Sequence, residues 1–178
     1  MRSLLGWIRS RRVASLVLGA RHEISNRKKG AAMNLSQAGL DLIKRSEGFR
    51  ALPYKDVAGF PTVGYGHKIQ AGEAFPDALT PATADILLRE DVITANRAIE
   101  RLVKVPLTQG QYDALVDFTF NLGSARLAQS TLLKDLNQGN YDAAAVELLR
   151  WDHAGAEEIE ALKVRRQAEY NLWHNVSN

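Results

Sequence analysis

The chain contains no cysteine, which excludes disulfides and thiolate metal ligands and fits a protein made in the cytosol. It has neither a His-Glu-x-x-His nor a Gly-x-Ser-x-Gly motif, so zinc peptidase and serine hydrolase chemistry find no support. His153 and His174 have no partners at ligand spacing. No metal or cofactor is therefore expected. Gly64-Tyr65-Gly66 lacks the third glycine of a dinucleotide loop, because Ile69 stands there; a tight hairpin explains these glycines better. Long apolar runs are also missing. Val13 to Ala20 spans eight residues, against about 20 for a membrane crossing. There is no internal repeat and no low-complexity segment.

What is present points to one domain with an extension. The chain has 178 residues, 46% of them apolar, enough for a single core. Charge is unevenly spread. Residues 1–33 hold eight Lys/Arg against one acid, Glu23, a net +7. The whole chain is +3, so residues 34–178 carry −4. We therefore divide the chain into a basic extension, 1–33, and a catalytic domain, 34–178. The extension is either a solvated tail or a segment attracted to an anionic surface such as a membrane. Val13 to Ala20, after the basic Arg9 to Arg12 stretch, has the form of a minimal signal-peptide apolar region, but Leu18-Gly19-Ala20 is a poor cleavage site. Ser10-Arg11-Arg12 is followed by small rather than bulky residues, against a twin-arginine signal. Met33 directly precedes the first expected helix and is a candidate internal start.

The segment from Glu47 to His67 carries the chemistry. Ser36 caps an expected helix whose apolar stripe includes Leu40 and Ile43. Glu47 lies four residues after Ile43 and continues that face, and Gly48 ends the helix. Apolar neighbours there would favour the protonated carboxyl that a general acid needs. Asp56 precedes Val57-Ala58-Gly59, which reads as a turn between short strands, where a carboxylate stays solvated and ionised. Thr62 opens the run Thr62-Val63-Gly64-Tyr65, expected to alternate between faces of a strand, and is placed to hold a water beside Asp56. Two acids in different surroundings are what glycoside hydrolysis requires. In residue types alone, a helix-ending Glu, a turn Asp and a strand Thr are also an ordinary combination.

A resemblance decides between these readings. Glu47, eight residues, Asp56, five residues, Thr62, then Gly64-x-Gly66-His67 resembles the active-site signature of phage-type lysozymes, the endolysins of glycoside hydrolase family twenty-four. Phe120-Asn121-Leu122-Gly123 resembles a family segment at a helix end near the sugar cleft. Ser130 to Leu133, Trp151, Arg165-Arg166 and Trp173 also fall in the family's order. The resemblance runs from about Leu35 to the C-terminus. It implies an α+β lysozyme-like fold, a small β-hairpin lobe at about 49–70 against a larger helical lobe, with the cleft between them. It implies hydrolysis of the β-1,4 bond between N-acetylmuramic acid and N-acetylglucosamine in peptidoglycan, with inversion. Glu47 would be the proton donor, Asp56 and Thr62 the water-activating or charge-stabilising pair, and Phe120 a wall of the sugar site. Gly64, Gly66 and His67 would support them, His67 as a structural hydrogen-bonding group. Such a protein is made in the host bacterial cytoplasm and acts on the wall in the periplasm. A monomer is expected. Two related readings remain open, a virion-associated tail lysozyme docked through residues 1–33 and a lytic transglycosylase, as does membrane disruption by the basic extension.

Downstream the pattern is helical. Thr80-Pro81 opens an expected helix through about Val103. Thr108-Gln-Gly-Gln111 has capping-box form, and Gly123 closes that helix. Further helices are expected at Thr131 to Leu136, Tyr141 to Trp151 and Glu157 to Trp173. Arg165-Arg166 reads as a solvated or salt-bridged face. No aromatics interleave with it, so no nucleic-acid partner is expected.

Overall fold

The computed structural model describes residues 33–56, 58–155 and 157–175. The expectations for the extension lie outside the described residues, apart from Met33. Helix α1 (Gln37–Glu47) leads into a three-stranded antiparallel sheet, β1 (Arg50–Lys55), β2 (Pro61–Gly64) and β3 (His67–Lys68), in the order β1-β2-β3. Seven helices follow: α2 (Pro81–Asp91), α3 (Ile93–Leu102), α4 (Gln109–Leu122), α5 (Ser124–Gln129), α6 (Thr131–Asn137), α7 (Tyr141–Leu148) and α8 (Glu160–Trp173). A short hairpin, β4 (His153–Ala154) with β5 (Glu157–Glu158), sits between the last two helices. The architecture is the expected α+β arrangement of a small sheet lobe and a larger helical lobe. No helix among the described residues is long and apolar enough to cross a membrane.

The core is built around α4. Residues Tyr112 to Thr119 are all buried, so this helix is covered on every side rather than along one stripe. Its neighbours are α1, α3, α5 and α8. A Cβ on Gly110 would lie 2.2 Å from the Leu172 carbonyl oxygen, so only glycine allows α4 and α8 this close an approach. α1 contributes Leu40 and Ile43, both fully buried; each such side chain adds roughly 1.5–3 kcal/mol of apolar burial. The caps match the sequence reading. Ser36 accepts from Gly39 N, Thr80 from Thr83 N, and Thr108 and Gln111 form a complete capping box. Asp113 inside α4 accepts from Ser36 N (3.0 Å) and Gln109 Nε2 (2.8 Å), fixing the start of α1 on the core helix.

Several boundaries differ from expectation. The helix expected from Thr80 to Val103 is two helices, broken at Val92, which caps both. No glycine or proline marks the break. α7 ends at Leu148, and the chain then tightens through Arg150 N→Glu147 O and Trp151 N→Leu148 O. Glu157 belongs to the β4–β5 hairpin, and α8 starts at Glu160. β2 does not alternate between a buried and a solvated face, since Thr62 and Val63 are 2% and 0% exposed. As the central strand it has α2 packed on it, and the Asp56–Phe60 turn is tied to it by Thr62 Oγ1, which donates to the Phe60 carbonyl at 3.0 Å.

Candidate active site

Glu47 is the last residue of α1. Gly48, at φ +69°, turns the chain into β1 and donates to Lys44 O. The Glu47 side chain is partly exposed and opens onto a cleft of about 380 Å³ between the sheet and the helical lobe. Gly66, Lys68, Gln70, Asp91, Phe120 and Asn121 line the cleft with it. Gly66 lies in the β2–β3 turn with φ +86°, and a Cβ there would stand 3.5 Å from Glu47 Oε2. The missing side chain leaves one oxygen of the carboxylate uncovered.

The other oxygen is held from behind. Glu47 Oε1 accepts from Arg165 Nη1 at 2.8 Å. Arg165 also donates through Nε and Nη2 to the two oxygens of Asp117, both at 2.8 Å. Arg165 is 6% exposed and Asp117 is not exposed at all. Burial alone would discourage the guanidinium charge, but Asp117 and Glu47 outweigh it and raise the Arg165 pKa. Two expectations are thereby corrected. Glu47 meets a guanidinium rather than an apolar wall, and Arg165-Arg166 is buried in the core rather than solvated. The salt-bridged half of that reading holds: Arg166 lies 2.8 Å from the buried Glu169 carboxylate and donates to Asn121 Oδ1 at 3.0 Å. Its guanidinium also stands over the Phe118 ring.

Asp56 ends β1 and organises the turn that follows. Its Oδ1 accepts from Ala58 N (2.9 Å) and Phe60 N (2.8 Å), while its backbone N–H donates to Phe60 O at 2.9 Å. Oδ2 is left over, 4.0 Å from Lys68 Nζ. Two hydrogen bonds to one oxygen set the orientation of the carboxylate. The Lys68 ammonium also lies 4.6 Å from the Phe60 ring centroid. Asp56 and Thr62 do not line the cleft themselves; they reach its edge through Lys68, which pairs with Thr62 across β2–β3.

The remaining signature residues hold the lobes together. Gly64, at φ +68°, faces Ala84 of α2, where a Cβ would come within 3.3 Å. His67 Nδ1 lies 2.9 Å from Asp91 and its Nε2 lies 3.0 Å from Glu73. Phe120 is half-buried and lines the cleft. Sequence reasoning missed Asp117, Lys68 and the anchoring role of Arg165. Only a residue type out of place, an aspartate in the apolar run Ala114 to Phe120, hinted at the first. Among the described residues no cluster of His, Cys, Asp and Glu is arranged to hold a metal ion.

Comparison with known proteins agrees with this geometry. The phage lysozyme family model matches residues 44–169. The endolysin of Acyrthosiphon pisum secondary endosymbiont phage 1 is 40% identical over 147 residues, covering 80% of this chain and 99% of its own. The endolysin of Bacillus phage B103 is 42% identical over 144 residues, which is 79% of this chain but only 54% of that longer protein. Among solved structures, a mutant of P22 lysozyme superposes with a TM-score of 0.73 at 39% identity, covering 80% of this chain and 99% of that one. With Glu47 and Gly66 lining a cleft between the two lobes and the match spanning most of its length, the chain belongs to the phage lysozyme family.

Proposed function

We propose that this protein is an endolysin: a muramidase that hydrolyses the β-1,4 bond between N-acetylmuramic acid and N-acetylglucosamine in peptidoglycan, lysing the host cell from the periplasmic side. The observation that carries this reading is the placement of Glu47, which presents one free carboxyl oxygen to the cleft while the other is held by Arg165. Glu47 donates its proton to the glycosidic oxygen as the C1–O bond breaks. Asp56, held by two backbone N–H groups, activates the water that adds to C1 or steadies the cationic transition state. Thr62, buried in β2, donates its hydroxyl proton to the Phe60 carbonyl and so supports the turn that presents Asp56. Inversion requires about 6.5–9.5 Å between the carboxyl groups, room for one water.

The enzyme works as a monomer, and residues 1–33 bring it to an anionic membrane surface. The test is Glu47→Gln, assayed on purified peptidoglycan beside the wild type. General-acid help alone is worth about 10²–10⁴ in rate, so the variant should be folded and almost inactive. Near-wild-type activity would remove Glu47 from its role. Mass spectrometry of wild-type products should show reducing ends; anhydro-muramic ends would make the protein a lytic transglycosylase.

A further inference from the structure

A proton donor next to a guanidinium poses a chemical problem. Arg165 stands 2.8 Å from Glu47, so the group that must give up a proton is held by a full positive charge. An ionised Glu47 has no proton to give. The arginine is useful only if it can orient the carboxyl group without imposing its whole charge on it.

The structure shows what offsets that charge. Asp117 comes from the middle of α4, is wholly buried, and takes two of the Arg165 donors in a bidentate contact. That fork is the strongest pairing a guanidinium makes, and it leaves Nη1 as the hand that reaches Glu47. Among the described residues no other charged group lies within ion-pairing distance of Glu47. Lys68 and Asp91 line the same cleft on β3 and α2. Lys44 and Arg45 lie on Glu47's own helix, and Lys44 is engaged by Asp85. Glu160 borders, together with Arg45 and Arg165, a groove on the α1–α8 side. Glu169, fully buried on α8 against Asp117 and Arg166, is pushed toward its neutral form by burial first and by the Asp117 charge second.

We propose that Asp117 is a positioning residue for the reaction, acting through Arg165: it neutralises the guanidinium that orients Glu47 and so keeps Glu47 able to hold a proton at working pH. This rests on Glu47 being the proton donor. The division of labour is specific. Arg165 supplies geometry, Asp117 removes most of the electrostatic side-effect, and neither touches substrate.

The test is the pH profile of kcat/KM on purified peptidoglycan, with thermal stability measured in parallel. Asp117→Asn keeps the shape and one acceptor but leaves the Arg165 charge unbalanced. The alkaline limb should move to lower pH by about one unit or more, the scale of a single uncompensated neighbour, while the acid limb stays. Asp117→Asn/Arg165→Gln removes both charges. Its limb should return to the wild-type position or above it, with kcat still reduced because Glu47 has lost its anchor. A folded Asp117→Asn protein with an unmoved alkaline limb overturns the proposal, whatever its stability. If Asp117→Asn does not fold, the double variant decides alone, since it leaves no unpaired buried charge: a limb below that of the wild type overturns the proposal. Substantial activity in Glu47→Gln would instead defeat the underlying reading of the proton donor and is distinguishable from both outcomes.

Discussion

His67 of β3 lies 2.9 Å from Asp91 at the end of α2, and this contact joins the sheet lobe to the helical lobe. The same imidazole meets Glu73 on its other nitrogen. Burial works against a charged ring, but Asp91 and Glu73 together outweigh it and raise the pKa from 6.5 to about 9. A folded-state pKa above the unfolded one means that protonation stabilises the fold. That contribution is complete below pH 6.5 and disappears as pH rises through about 9. The thermal stability gap between wild type and His67→Asn should therefore be wide at pH 5.5 and narrower at pH 9.5. A gap that widens with pH would contradict the charged pairing.

Asp56→Asn should fold, because an amide oxygen can still accept from Ala58 N and Phe60 N. Its amide nitrogen then replaces Oδ2, the oxygen left for charge stabilisation near Lys68. Turnover should fall by about 10² or more, the usual effect of losing one acid–base partner, with circular dichroism and melting temperature close to wild type. Turnover within a few-fold of wild type would reduce Asp56 to a turn-forming residue.

Gly66→Ala places a methyl group beside the free oxygen of Glu47 and forces a side chain into φ +86°. The left-handed conformation costs about 1–2 kcal/mol, which for a domain this size lowers the melting temperature by roughly 2–8 °C. Activity should fall further than stability accounts for, because the methyl crowds the side of the carboxyl that meets substrate. Differential scanning calorimetry and peptidoglycan hydrolysis on the same preparation separate the two effects.

A protein starting at Met33 should fold and hydrolyse purified peptidoglycan about as well as the full chain. Met33 packs on the core, and every site residue follows it. The full chain, with +7 in residues 1–33, should sediment with anionic vesicles at low salt, at about 1 kcal/mol per basic residue near the surface. That binding should weaken at high salt, where the Debye length shortens to about 3 Å at 1 M. Equal binding by both forms would leave the extension without this role.

Local signals made most of the fold legible. Ser36, Thr80-Pro81 and Thr108 announce helix starts because capping is chemistry within three residues. Gly48 and Gly123 mark ends because only glycine is at ease at positive φ. The break at Val92 left no such mark. The site divides the same way. Glu47, Asp56 and Thr62 are readable because one short hairpin places them all. The environment of Glu47 was not, since its partner lies 118 positions away and no local pattern encodes a contact between the end of α1 and the interior of α8. Arg165-Arg166 looked like a surface pair for the same reason: a doubled arginine is buried only when carboxylates from distant helices are waiting for it.

That long separation has a consequence for timing. A ribosome delivers α1 and the hairpin well before α8. Until α8 docks, Glu47 has no anchor, Asp117 is an unpaired acid inside α4, and the face of α4 beside Gly110 is bare. A partly made chain therefore carries the whole signature yet lacks an organised proton donor. Organisation of the proton donor therefore waits on the docking of α8, and a chain cut before Arg165 would keep the signature without its anchor.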